Sequence, residues 1–165
     1  MKEKSEKVVW DSCVIIDALQ KTPGRYELIE PFLHEAHNKK LQIVISEISV
    51  TEVSHLKELG KQGIPIDEQI ELIDDWLENP FIVRRPVIPG ISELAKEIGR
   101  KFNLKRAADR IVVATAQFDN IPLIHTFDGI DSQKKSKMLP LDNKIGDPPI
   151  RIMEPNPAFG TLFAI

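Results

Sequence analysis

A chain of 165 residues with 42% hydrophobic side chains fits one ordinary globular domain with a single sizeable core. Its net charge of −3 at pH 7 excludes a global attraction to nucleic acid, and its one cysteine, Cys13, excludes an internal disulfide and a thiolate-built zinc site. No apolar run approaches the ~18 residues of a membrane span, and the charged opening Met1–Lys7 lacks the apolar core of a signal peptide, so a soluble, cytoplasmic protein is expected.

In chain order, Lys7 to Trp10 reads as a β-rich run, followed by an amphipathic helix with Tyr26, Ile29, Phe32, Leu33 and Ala36 on one stripe. Leu41 to Ile45 is a second strand. Val50, Val53, Leu56 and Leu59 form the next helical stripe, and Ile66, Ile70, Ile73 and Leu77 another. Pro80 to Arg84 reads as a third strand, and Ile91, Leu94, Ala95, Ile98 and Phe102 as a further helix. The helix from Asp109 is apolar nearly all round, and Pro122 to Thr126 forms a fourth strand. Ile150 to Met153 reads as an edge strand inside a proline-punctuated stretch. Strands alternating with helices of this length build βαβ units, so the expected fold is a three-layer α/β/α sandwich with a central, mostly parallel sheet. Residues 1–152 would form that domain. The apolar tail 153–165 would pack on it or on a second subunit.

Four carboxylates stand at the ends of segments that read as buried. Asp11 closes Val8-Val9-Trp10, Glu52 lies on the flank of a buried stripe, Asp109 opens Ile111 to Ala116, and Asp128 follows Leu123 to Phe127. Each also has an ordinary explanation. Asp11 is a good helix N-cap, and Ser49-Val50-Thr51-Glu52 matches a capping box. Asp109 suits a helix dipole or a pairing with Arg106 or Arg110, and Asp128-Gly129 is a turn signal. Isolated carboxylates are costly to remove from water, and one shared metal ion would relieve several together. With oxygen ligands on offer, that ion would be Mg²⁺ or Mn²⁺. Histidine adds nothing to the set: His34 and His37 read as surface decoration, and His55 and His125 as peripheral. Cys13 is expected to pack inertly, and Trp10 to lie in the core.

The order of these acids resembles the PIN-domain nuclease family. The resemblance rests on Val-Val-Trp-Asp-Ser ending in Asp11-Ser12, on Ser46-Glu47-Ile48-Ser49-Val50-Thr51-Glu52, on Asp109-Arg-Ile-Val-Val-Ala-Thr-Ala, and on Thr126-Phe127-Asp128 with Asp131 as an extra acid. It spans about Lys7 to Ile152, with Cys13 standing where the family more often has Asn or Ser. It implies metal-dependent hydrolysis of RNA phosphodiesters by Asp11, Glu52, Asp109 and Asp128, with Asp131 as an optional ligand and Ser12, Ser46 and Thr126 as hydroxyl contacts. It also implies the toxin half of a toxin–antitoxin pair, with an antitoxin protein as partner.

Phosphate contacts would come from Lys101, Lys105, Arg106 and Arg110, joined by Arg100, and from Lys134, Lys135 and Lys137. With one tyrosine and two tryptophans, an extended stacking platform for single strands is not expected. The apolar tail and the helix around Trp76 suggest a homo-oligomer. The rival reading is a catalytically silent PIN-like RNA-binding or scaffold module. A phosphatase or receiver domain would need an aspartate pair or a late lysine in other positions.

Overall fold

The computed structural model describes residues 5–128 and 138–159. The expected site residues Asp131, Lys134, Lys135 and Lys137 and the tail residues 160–165 lie outside the described residues.

Alternation along the strands decides the architecture. In β1 (Glu6–Trp10), Val8 and Trp10 point to one face and Val9 to the other; in β2 (Leu41–Ser46), Ile43 and Ile45 oppose Val44. The Trp10 face is covered by α1 (Ser12–Gln20), α2 (Tyr26–His37) and α5 (Ile66–Leu77), through residues such as Ile15, Phe32 and Ile73. The Val9 face is covered by α6 (Pro89–Phe102) and α7 (Ala107–Phe118), through Ile91, Ile98, Val112 and Val113. Both faces are therefore dry, as a parallel sheet requires. The result is the three-layer sandwich expected from the alternation of elements.

The remaining strands are β3 (Ile82–Arg85), β4 (Leu123–His125) and β5 (Arg151–Met153), and all pairings are parallel in the order β3-β2-β1-β4-β5. β5 is an edge strand, as its proline-rich surroundings suggested. The chain builds outward from β1 to β3, then crosses to the other side of β1 for β4. The crevice beyond the carboxyl ends of β1 and β4 is thus a topological switch point, where open sheets of this kind bind ligands.

Two expectations need correction. The stripe Val50, Val53, Leu56 and Leu59 is not one helix: α3 (Glu47–Glu52) ends at Val53, and the short α4 (Lys57–Lys61) starts after Leu56. Val53 and Leu56 are buried all the same, because the break bends the chain while both side chains reach the core. His125 is not peripheral. It is buried at the end of β4, where it accepts a hydrogen bond from the Trp10 indole N–H at 3.2 Å and meets the Phe32 ring edge-on. Burial pulls its pKa down to about 3, so the ring is neutral and its Nδ1 is free to accept.

Candidate active site: four acids and one arginine

Asp11 is the first residue beyond β1 and the N-cap of α1, and only 6% of it is exposed. The capping role is real: Oδ1 accepts the Ser12 N–H at 2.8 Å. Its other oxygen faces the loop after β4. Oδ2 accepts the Thr126 hydroxyl at 3.0 Å and the Cys13 thiol at 3.4 Å. Thr126 in turn accepts the Asp128 N–H at 3.0 Å, and Cys13 Sγ accepts the Phe127 N–H at 3.3 Å. The Asp11 N–H donates to the His125 carbonyl at 3.1 Å, which closes the same junction through the backbone. One short network thus ties the start of α1 to the segment that carries Asp128. Burial pushes the Asp11 carboxyl above its ordinary range and the charge of Asp128 adds to this, while the Thr126, Ser12 and Cys13 hydrogen bonds pull it back.

Cys13 is therefore more than packing. Its thiol bridges Asp11 and the Phe127 backbone, and burial together with the Asp11 charge pushes its pKa well up, so it acts as a neutral hydrogen-bonding group and not as a nucleophile. Sequence reasoning assigned it no part in the site. The one available signal was its place two residues after Asp11.

Glu52 is the last residue of α3. The capping-box reading fails, because the N-cap is Ser46, whose hydroxyl accepts the Ile48 N–H at 3.4 Å; Ser49 lies within the helix. Ser46 is buried and engaged as a cap. Glu52 is raised by burial and by Asp11, and lowered by Arg106 and by the Ser12 hydroxyl.

Asp109 lies in the first turn of α7 and only 3% of it is exposed. It faces Arg106 at 3.8 Å, beyond hydrogen-bond length, and its Oδ2 is buried with no hydrogen-bond partner. Burial raises its pKa to about 6. Arg106 opposes the rise, and the charges of Asp11, Asp128 and Glu52 add to it. The mutual influence of Asp11, Glu52, Asp109 and Asp128 brings the four acids, drawn from four separate segments, into one electrostatic cluster.

Among the described residues, Arg106 is the cation paired with this cluster. It is the N-cap residue of α7, and its Nη2 donates to Glu52 Oε2 at 2.9 Å. The flanking cations divide. Lys101 and Lys105 are exposed, whereas the Arg110 guanidinium packs on Gly99 of α6, where a Cβ would lie 2.6 Å from its side chain, and donates to the Lys105 carbonyl.

The donor set is all oxygen, the chemistry that suits Mg²⁺ or Mn²⁺, and one Asp109 oxygen is buried without a hydrogen-bond partner. Among the described residues, no three His, Cys, Asp or Glu side chains stand together in an arrangement that would hold a metal ion directly. Two of the acids are turned to Arg106 instead.

A PIN domain family model matches residues 8–134. No curated protein matches the chain in sequence. In fold it is similar to VapBC2 from Rickettsia felis bound to a DNA fragment from their promoter, with TM-score 0.56, 16% identity, and coverage of 77% of this chain and 90% of that one. It is similar as well to VapC20 from Mycobacterium tuberculosis, a sarcin-ricin loop cleaving toxin, with TM-score 0.54, 14% identity and coverage of 74% and 91%. FitAcB from Neisseria gonorrhoeae gives TM-score 0.56 at 16% identity, covering 90% and 97%.

Proposed function

The chain belongs to the PIN domain family, and from that premise we propose that it is a metal-dependent endoribonuclease acting through Asp11, Glu52, Asp109 and Asp128. The observation that carries this reading is Asp109. It is a buried carboxylate with an unpartnered oxygen, crowded by three other acids, and such an arrangement costs stability unless a cation joins it.

Asp11 and Asp109 would be the shared metal ligands, with Glu52 and Asp128 completing the set and Asp131 available from outside the described residues. Mg²⁺ or Mn²⁺ held by these carboxylates would supply an activated water and charge stabilisation of the leaving oxygen. The chain's own residues prepare that site. Thr126 and Cys13 fix the rotamer of Asp11 by holding Oδ2, and the Ser12 N–H holds Oδ1. Thr126 also fixes the backbone entering Asp128. Lys101 and Lys105, with Lys134, Lys135 and Lys137, would meet phosphates and supply affinity without sequence choice.

The biological role we infer is that of the toxin in a toxin–antitoxin pair, a reading supported by the likeness to VapC20 and to FitAcB. The exposed apolar side chains of α5, Ile66, Ile70 and Leu72, favour a homo-oligomer or a protein partner.

The test is cleavage of mixed single-stranded and structured RNA by wild type and Asp11→Asn, with Mn²⁺, with Mg²⁺ and with EDTA. Metal-dependent cutting by wild type alone is expected. A wild type that neither cuts nor binds metal would replace this reading with a silent RNA-binding module.

A further inference from the structure

We propose that Arg106 is a built-in counter-ion of the acidic site, which a metal ion must displace in order to bind and which then turns to the RNA phosphates. This rests on the metal-dependent reading above and concerns how that site is loaded.

Three observations lead there. First, Arg106 is bound to two of the four acids from different elements: it reaches Glu52 at the end of α3 with 2.9 Å and Asp109 on its own helix with 3.8 Å. An ion bound by Glu52 and Asp109 would compete for the same oxygens. Second, the whole cluster acts on it, since Asp109, Glu52, Asp128 and Asp11 all stabilise its charge. It stands where the field of the four acids converges. Third, it is held loosely. Half of its side chain is exposed, and ion pairs so exposed contribute about 0–1 kcal/mol. A divalent ion brings twice the charge and satisfies the buried Asp109 oxygen that Arg106 leaves unpartnered.

Geometry keeps the released side chain near the reaction. Arg106 precedes α7 in extended backbone, φ −75° and ψ 127°, next to the exposed Lys105 and three residues before Asp109. A guanidinium freed from Glu52 is a planar fork suited to a phosphate. The cation that neutralises the acids before loading thus becomes a cation for substrate after it.

The experiment is calorimetric titration of Mn²⁺ alone into wild type, Arg106→Gln, Arg106→Lys and Lys105→Gln, with folding checked by circular dichroism. Lys105→Gln removes the same charge one residue away from an exposed side chain. Arg106→Gln is expected to bind Mn²⁺ about two- to fivefold more tightly than wild type, in line with the loss of one competing exposed pair, and Arg106→Lys to fall between them. In Mn²⁺ affinity, Lys105→Gln is expected to match wild type, because its side chain is assigned to phosphate and pairs with none of the four acids. Binding of a short single-stranded RNA in Mn²⁺ should weaken in Arg106→Gln, opposite in sign to its metal affinity. Equal Mn²⁺ affinity in wild type and Arg106→Gln, weaker binding in Arg106→Gln, or the same gain in Lys105→Gln would each overturn the counter-ion role while leaving the metal site standing. No Mn²⁺ binding by any of the four proteins would overturn both this inference and the function it rests on.

Discussion

At the scale of single residues, Asp109 shows most directly that the site is built at the expense of the fold. Its pKa is about 6 in the folded chain against the ordinary 3.8, so the folded state binds the proton more tightly than the unfolded state does. Stability is then greatest below the ordinary value and falls as the pH rises through about 6. At neutral pH the ionised carboxylate is a net cost. Asp109→Asn, measured by urea unfolding in EDTA, should therefore stabilise the protein by about 2 kcal/mol near pH 7.5 and by much less near pH 4. An Asn variant that is less stable at both values would show that Asp109 is held by pairings that its unpartnered oxygen does not indicate. His125, at the end of β4, has the opposite character. Its neutral ring is satisfied by the Trp10 indole, and it braces the end of β4 without adding charge.

At the scale of elements, the break between α3 and α4 makes Glu52 the last helical residue before the chain bends away. A continuous helix through Val53 and Leu56 would carry the chain straight on from Glu52. Instead α3 stops at Val53, and the turn is secured from a distance by Gln69 of α5. Its Oε1 accepts the Leu56 N–H at 2.8 Å, its Nε2 donates to the Ile64 carbonyl at 2.8 Å, and Gly60 leaves room for the amide, since a Cβ there would stand 3.3 Å from Nε2. Gln69→Leu removes both bonds and strands a buried N–H and a carbonyl, which should cost about 1–3 kcal/mol of stability in denaturant unfolding. Mn²⁺ affinity should stay at the wild-type value, because α4 and α5 carry no ligand. A large loss of metal binding would mean that the bend tunes the site itself.

At the scale of the whole molecule, what was legible in the chain was whatever repeats locally. Apolar spacing located the strands and most helices to within a residue or two, and the alternation of strand and helix led to a parallel sandwich. The acids at Asp11, Asp109 and Asp128 stood out because each ends or opens an apolar run. What stayed hidden depends on separation. The pairing of Arg106 with Glu52 joins residues 54 apart, and that of Trp10 with His125 joins residues 115 apart. Nothing in either local segment points to the other. The α3–α4 break was masked because its apolar residues keep helical spacing while the backbone does not. Ile66 and Ile70 share the stripe of Ile73 and Leu77, yet they lie 51% and 43% exposed, while Gln69, in the same turn as Ile70, is buried in their place. Periodicity marks a face, but not how far the neighbouring layer extends beneath it.

The central claim, that these four acids form one cation-binding centre, is tested most directly by anomalous scattering from a crystal soaked in Mn²⁺. A peak between the carboxylates of Asp11 and Asp109, with the Arg106 side chain turned away from Glu52, is the predicted result. Anomalous density absent from the cluster, or present only elsewhere on the surface, would contradict it.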